Sequence, residues 1–231
     1  MNDTLIIISF LAFYFSPVFY QIGIVIKENK QGNKIPLRRL KNILKYSFLI
    51  LTPLLLGFAA LTHTNYLDYE KPITYDKIDQ ITFENFRGLE FFKKSLYGNK
   101  RFAYVVVSME SEIKEDYVVI KSLFHPSRSF VYNSYSNSKE LLTHEMYHFK
   151  IMELYVRKIK KCISELKNNK KDQIKDIINQ KKIEEREFQQ QYDYDTFHSY
   201  VFSEQKKYEK QIDSLLNLLS EFENPQIKLN E

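Results

Sequence analysis

The chain reads as an α+β protein, with two apolar helices at its N-terminus followed by a head that combines a small antiparallel sheet with three long helices. Three observations carry this. Two uncharged apolar runs, about residues 5–26 and 46–62, precede any mixed sequence. Short segments rich in β-branched and aromatic residues cluster between Ile81 and Tyr132, as strands do. From Leu141 onward apolar residues recur at helical spacing in three blocks. Five glycines and a 15% aromatic share fit a packed domain, not a disordered one.

Leu5 to Ile26 contains one amide, Gln21, and no charge. At 1.5 Å per residue it is long enough to cross a hydrocarbon core. Tyr46 to Thr62 is a second such run, near the short end of the spanning range. Pro17 and Pro53 fall inside them, which membrane helices tolerate. A cleaved signal peptide fits the first run poorly, because Met1-Asn2-Asp3 lacks basic residues. Between the runs, Lys27, Lys30, Lys34, Arg38, Arg39, Lys41 and Lys45 oppose only Glu28. The net charge of +5 is thus concentrated beside apolar segments. This argues for membrane orientation and against nucleic acid as a partner. Residues 1–63 are expected as a hairpin anchor in the lipid bilayer with a basic cytoplasmic loop, 27–45, which puts the head on the other side.

Residues 64–79, with Pro72, read as a linker. The head is expected over 80–222. Ile81 to Gly88 reads as a strand and turn, Phe102 to Met109 and Asp116 to Phe124 as strands joined by a polar connection at Glu110–Glu115, and Ser129 to Tyr132 as a short strand. Asn137-Ser138-Lys139-Glu140 resembles a capping box with Asn137 as cap. The helix that follows places Leu141, His144, His148, Ile151, Tyr155, Ile159 and Cys162 on one inward stripe and ends near Leu166. Ile174, Ile177, Ile178 and Ile183 mark a charged second helix to Gln191. Tyr192 to Ser199 interrupts the pattern, and Tyr200 to Phe222 resumes it. After Pro225 the tail, 223–231, is expected to fray. The single cysteine excludes an internal disulfide and reads as a small core residue.

Chemistry concentrates in His144-Glu145-Met146-Tyr147-His148, an H-E-x-x-H pattern. Histidines four residues apart stack on one helix face and can share a zinc ion, and the adjacent glutamate can act as general base. A catalytic zinc site needs a third protein ligand. Glu153 lies about 140° around the helix from His148, which is poor geometry. The interruption Tyr192-Asp193-Tyr194-Asp195-Thr196-Phe197-His198-Ser199 is a better source. His198 is the first choice, and Asp195 and Asp193 are alternatives, either as ligands or as groups that orient an imidazole. A phenol from Tyr192, Tyr194 or Tyr200 is a weaker candidate for an oxyanion. His125, before Pro126, reads as a turn residue, and His63 as a boundary residue.

These blocks resemble a bacterial family of uncharacterised domains described as zinc-dependent proteases. That family carries Leu-Leu-x-His-Glu-Gln-x-His-Phe-Asp-Ile followed by Glu-x-Tyr-Ala-Arg-Lys. Here Leu141 to Ile151 and Glu153-Leu154-Tyr155-Val156-Arg157-Lys158 stand at the matching places. A later Tyr-Asp-x-x-Thr-x-His-Gly block is similar to Tyr192–Ser199, an earlier Leu-Thr-Trp-x-Asp-Phe-x-Gly block to Ile81–Gly88, and an Ala-Tyr pair to Ala103-Tyr104. The resemblance covers about residues 80–215. It departs at Met146, Lys150 and Ser199, none of them an expected ligand or base. It implies a zincin-like head acting as a zinc metallopeptidase on a peptide or protein substrate, in a bacterial cell membrane. The alternative is a non-catalytic, metal-stabilised binding protein of the cell envelope.

Overall fold

A computed structural model describes residues 3–63, 67–89, 102–132, 138–166 and 171–229. The chain divides into two units, Met1–Ala60 and Leu61–Glu231.

In the first unit, α1 (Asp3–Tyr14) and α2 (Ser16–Asn29) meet at a bend of 53°. The expected single span over 5–26 is therefore broken. Pro17 sits at the start of α2; it has no N–H to continue α1, and its ring crowds the preceding turn. α3 (Ile35–His63) absorbs Pro53 without a break. It also begins earlier than expected, so Arg38, Arg39, Lys41 and Lys45 are helical and the basic loop shrinks to a turn at Lys30–Lys34. Gly32, with φ of 74°, closes that turn. Asn33 accepts a bond from the Ile35 N–H at the start of α3. Gln21 Nε2 donates to the Pro36 carbonyl and Tyr14 OH to the Ser47 carbonyl. Over Ile35–Leu61, α3 is long and apolar enough to cross a membrane. Its Phe48, Leu49, Leu54, Leu55 and Leu56 side chains point outward.

The second unit is a helix-dominated α+β domain. Its sheet is wholly antiparallel. β3 (Val107–Ile113) flanks β4 (Tyr117–Phe124) on one side, while β1 (Ile73–Thr74) and β6 (Gln226–Lys228) share the other. β2 (Ala103–Tyr104) pairs separately with β5 (Phe130–Val131). Several expectations change here. β1 lies inside the expected linker. The polar stretch from Glu110 to Ile113 extends β3 instead of turning. Residues 83–85 form a 3-10 turn capped by Thr82, not a strand. Through Leu229 the tail is held in place: Ile227 packs on the core, and Lys160 Nζ donates to the Glu223 and Asn224 carbonyls. At Gly88 a Cβ would stand 2.9 Å from the Ser129 carbonyl oxygen, so glycine permits that close approach.

β4 alternates, turning Val118, Ile120, Ser122 and Phe124 inward. They meet α4 (Lys139–Ser164), which starts at Ser138, whose hydroxyl accepts from the Leu141 N–H. Asn137, the expected cap, lies outside the described residues. α4 is buried on nearly every face between Leu141 and Ile163, not on one stripe alone, and Cys162 is half-buried. α5 (Lys171–Thr196) and α6 (Phe202–Leu218) cover it, with Ile174, Ile178 and Tyr192 from α5 and Ile212 and Leu216 from α6 in the core. α4 is thus a central rod, and its polar residues must find partners from its neighbours.

Candidate metal centre

His144 and His148 stand one turn apart on α4 and turn toward the last turns of α5. Their ring centroids are 5.0 Å apart and their planes nearly perpendicular. Tyr192 stacks on the His144 ring at 4.7 Å and fixes its plane. The expected interruption at Tyr192 does not occur: the helix continues to Thr196, because Tyr192 to Thr196 contains neither glycine nor proline. Asp193 therefore projects from a regular helix. Its Oδ1 lies 3.3 Å from His144 Nε2 and 3.0 Å from His148 Nε2, and the two Nε2 atoms are 3.3 Å apart.

The helix stops in an unusual way. Phe197, His198 and Ser199 have φ of 44°, 51° and 74°, three successive non-glycine residues in left-handed conformation. Ser199 stands where the resembled pattern carries glycine. The turn brings His198 Nδ1 to 3.4 Å from Asp193 Oδ1, with the side chain 53% exposed. The compact group is thus His144, His148 and Asp193, and His198 is the next donor outward. Asp195, the other acidic alternative, faces elsewhere: its carboxylate accepts from Tyr208 OH and Gln191 Nε2.

Gln189, one turn before Asp193, completes the setting. Its Nε2 donates to the His148 carbonyl (2.9 Å) and to Glu185 (2.8 Å), which leaves Oε1 as the acceptor facing His148 Nδ1. Nδ1 thus carries the proton, and in the neutral ring Nε2 offers a lone pair toward Asp193. Gln189 is the residue of this face that sequence reasoning did not single out. Glu185, Gln189 and Asp193 at intervals of four are the signal that reveals it, once α5 is taken as continuous.

The electrostatics favour positive charge at this point. Burial opposes Asp193's ionisation, but bonds from His144, His148 and His198 hold its carboxyl well below the usual range. Burial lowers the His144 ring to about 4. Burial also depresses His148, yet Asp193 and Glu145 outweigh it and lift that ring to about 9. Asp193 adds its charge to the negative C-terminal end of the α5 dipole. Two imidazole nitrogens and one carboxylate oxygen separated by 3.0–3.3 Å fit a zinc ion well, since ligands 2.0–2.1 Å from a tetrahedral zinc lie about 3.3–3.4 Å apart.

Glu145 is 4% exposed, and its Oε2 accepts from the Val105 N–H at 3.1 Å. Burial raises its carboxyl to about 7. Glu145, His148, Asp193 and His198 line one cleft of about 720 Å³, walled on its far side by residues 102–107. Glu153 is remote from this chemistry. It accepts from Ser122 Oγ (2.6 Å) and pairs with Arg157 (2.8 Å) in the core. His125 is more than a turn residue: its buried ring links Asp68 (3.1 Å) to Ser108 (2.7 Å). Val107 and Met109 face the core, so Ser108 between them points to the opposite side of the sheet, and Asp68, Ser108 and His125 do not line the cleft. This relay fastens the segment after α3 to the domain.

No family model, no curated protein and no solved structure matches this chain.

Proposed function

We propose that the chain is a membrane-anchored, zinc-dependent peptidase with a zincin-like head. One observation carries the reading: the cleft lined by two members of the His144–His148–Asp193 triangle is also lined by Glu145. In this reading the three side chains hold zinc, which when bound supplies a water of lowered pKa and a Lewis acid for the scissile carbonyl. Glu145, its carboxyl raised by burial to about 7, is suited to accept a proton and pass it to the leaving amine near neutral pH. His198, at the rim and able to donate, would meet the substrate carbonyl oxygen or support Asp193. An extended peptide lying along residues 102–107 would be held largely by backbone bonds. α3 supports the anchor. The bent α1–α2 pair would complete a second crossing, and the basic turn and start of α3 would then lie in the cytoplasm with the head outside.

The decisive variant is Glu145→Gln. It should keep zinc at one equivalent and lower peptide hydrolysis by about 10²–10⁴-fold, the usual contribution of a general base. Turnover within about tenfold of wild type removes Glu145 from this role. A second reading, a metal-stabilised binding protein of the cell envelope, is favoured by the Val105 bond that occupies one Glu145 oxygen. Zinc-loaded wild type without turnover on a broad peptide library would select it.

A further inference from the structure

Beside the cleft the left-handed turn does something the metal site does not require. It holds His198 inward and turns a row of large apolar side chains outward. Tyr194 is 80% exposed and Phe197 62%, and Tyr200, Val201 and Phe202 join them within nine residues. Phe197 and Tyr200 touch edge to face, at 5.9 Å between centroids, and the other three flank them in sequence. Lys206 lies over the Phe202 ring, and Lys207 follows. Three consecutive non-glycine residues with positive φ carry a conformational cost. A loop that only closed two helices could avoid that cost with one glycine.

We infer that this aromatic turn, Tyr194–Phe202, rests in the interface of a lipid bilayer. Tyrosine and phenylalanine beside lysine is the composition that settles at the boundary between headgroups and acyl chains. The chain brings its own bilayer within reach. α3 ends at His63, and Asp68 is fixed to the domain by Ser127 and His125; five residues span at most about 18 Å. His125, which holds Asp68, also donates its backbone N–H to the Val106 carbonyl, four residues from Phe102. Phe102 packs on the rings of His198 and Tyr200. The short tether therefore keeps the domain that carries the patch near any bilayer that α3 crosses. This inference rests on the anchoring part of the proposed function and on neither metal nor hydrolysis.

The sequence contains no tryptophan, so one substitution yields an unambiguous reporter. Full-length Phe197→Trp is reconstituted into phosphatidylcholine vesicles whose acyl chains are brominated, and its emission is compared with that in unbrominated vesicles. Expected are a blue-shifted spectrum and loss of most of the emission to the bromines. The control Ile183→Trp, also exposed, sits on α5 about 20 Å from Thr196 along the helix and should stay bright. Tyr194→Trp serves as a second reporter and should be quenched like F197W. If both reporters remain bright in brominated vesicles, the inference fails in either of two ways. Quenching by aqueous iodide would show the turn in water, and protection from both quenchers would show it covered by protein. Because the signal is independent of turnover, an inactive protein with a quenched F197W would refute the peptidase reading alone.

Discussion

Replacing Gln189 with leucine tests whether the triangle is a metal site tuned from outside. The change keeps the approximate volume on α5 and removes three bonds: Nε2 to the His148 carbonyl and to Glu185, and Oε1 to His148 Nδ1. His148 is 9% exposed, so water cannot readily replace the lost acceptor. The Nδ1 proton is then free to move to Nε2, which withdraws the lone pair aimed at Asp193. Loss of such an outer partner usually lowers metal affinity about 10–100-fold, equivalent to about 1.4–2.7 kcal/mol. The assay is competition for zinc against a chromophoric chelator, with melting in excess chelator as the check on folding. Gln190→Leu is the control, because Gln190 lines the same cleft and has no role in orienting His148. Q189L that binds zinc within about twofold of wild type, with unchanged melting, would refute the claim that Gln189 sets the tautomer of His148.

Two further outcomes follow from the same contacts. Arg157→Met should destabilise the protein by about 3–5 kcal/mol, because it strands the buried Glu153 carboxylate and frees the Leu216 carbonyl that Arg157 also caps. Thermal melting should fall by roughly 6–20 °C, the double change Glu153→Leu with Arg157→Met should recover most of it, and a shift under about 2 °C for R157M would contradict the assignment. In chelator-treated protein, the stability advantage of wild type over Asp193→Asn should shrink as pH rises. His148 is lifted by Asp193 from its ordinary 6.5 to about 9, so its contribution is complete below about 6.5 and is lost as pH rises through about 9. Lys160, lowered by burial to about 8, acts in the opposite sense above that pH but equally in both proteins. Denaturation midpoints at pH values either side of this window measure the difference, and an advantage that stays constant or grows would count against the His148–Asp193 pair.

The legible parts of this molecule are those written in local periodicity. The 3.6-residue spacing of Leu141, His144, His148, Ile151 and Tyr155 announces α4 and puts both histidines inside. The β-branched run Tyr117–Phe124 announces β4, and the apolar stretch after Tyr46 announces the latter part of α3. What escapes local reading is decided by distant contacts or by backbone choices that side-chain type does not mark. β6 is three residues after a proline, and it forms because β4 presents an open edge beside a core site for Ile227. The Asp68–His125 bond joins residues 57 apart, which no window spans. Asp193 ranked below His198 because Tyr192–Ser199 looks like a break. In fact the break begins at Phe197, at residues with no glycine to announce it.

That displaced break explains how the chain assembles its candidate site. With α5 regular through Thr196, Glu185, Gln189 and Asp193 form one polar ridge facing the two histidines of α4, and each member holds the next: Glu185 fixes Gln189, Gln189 fixes His148, and Asp193 bridges both rings. Well-packed apolar residues at these positions would generally stabilise a helix pair as well or better. The buried polar chain is therefore poorly explained by stability alone. It draws together three ligand-type atoms that lie 3.0–3.3 Å from one another. Beside a glutamate buried at the wall of a cleft, such a cluster is the arrangement that the proposed metal site would use.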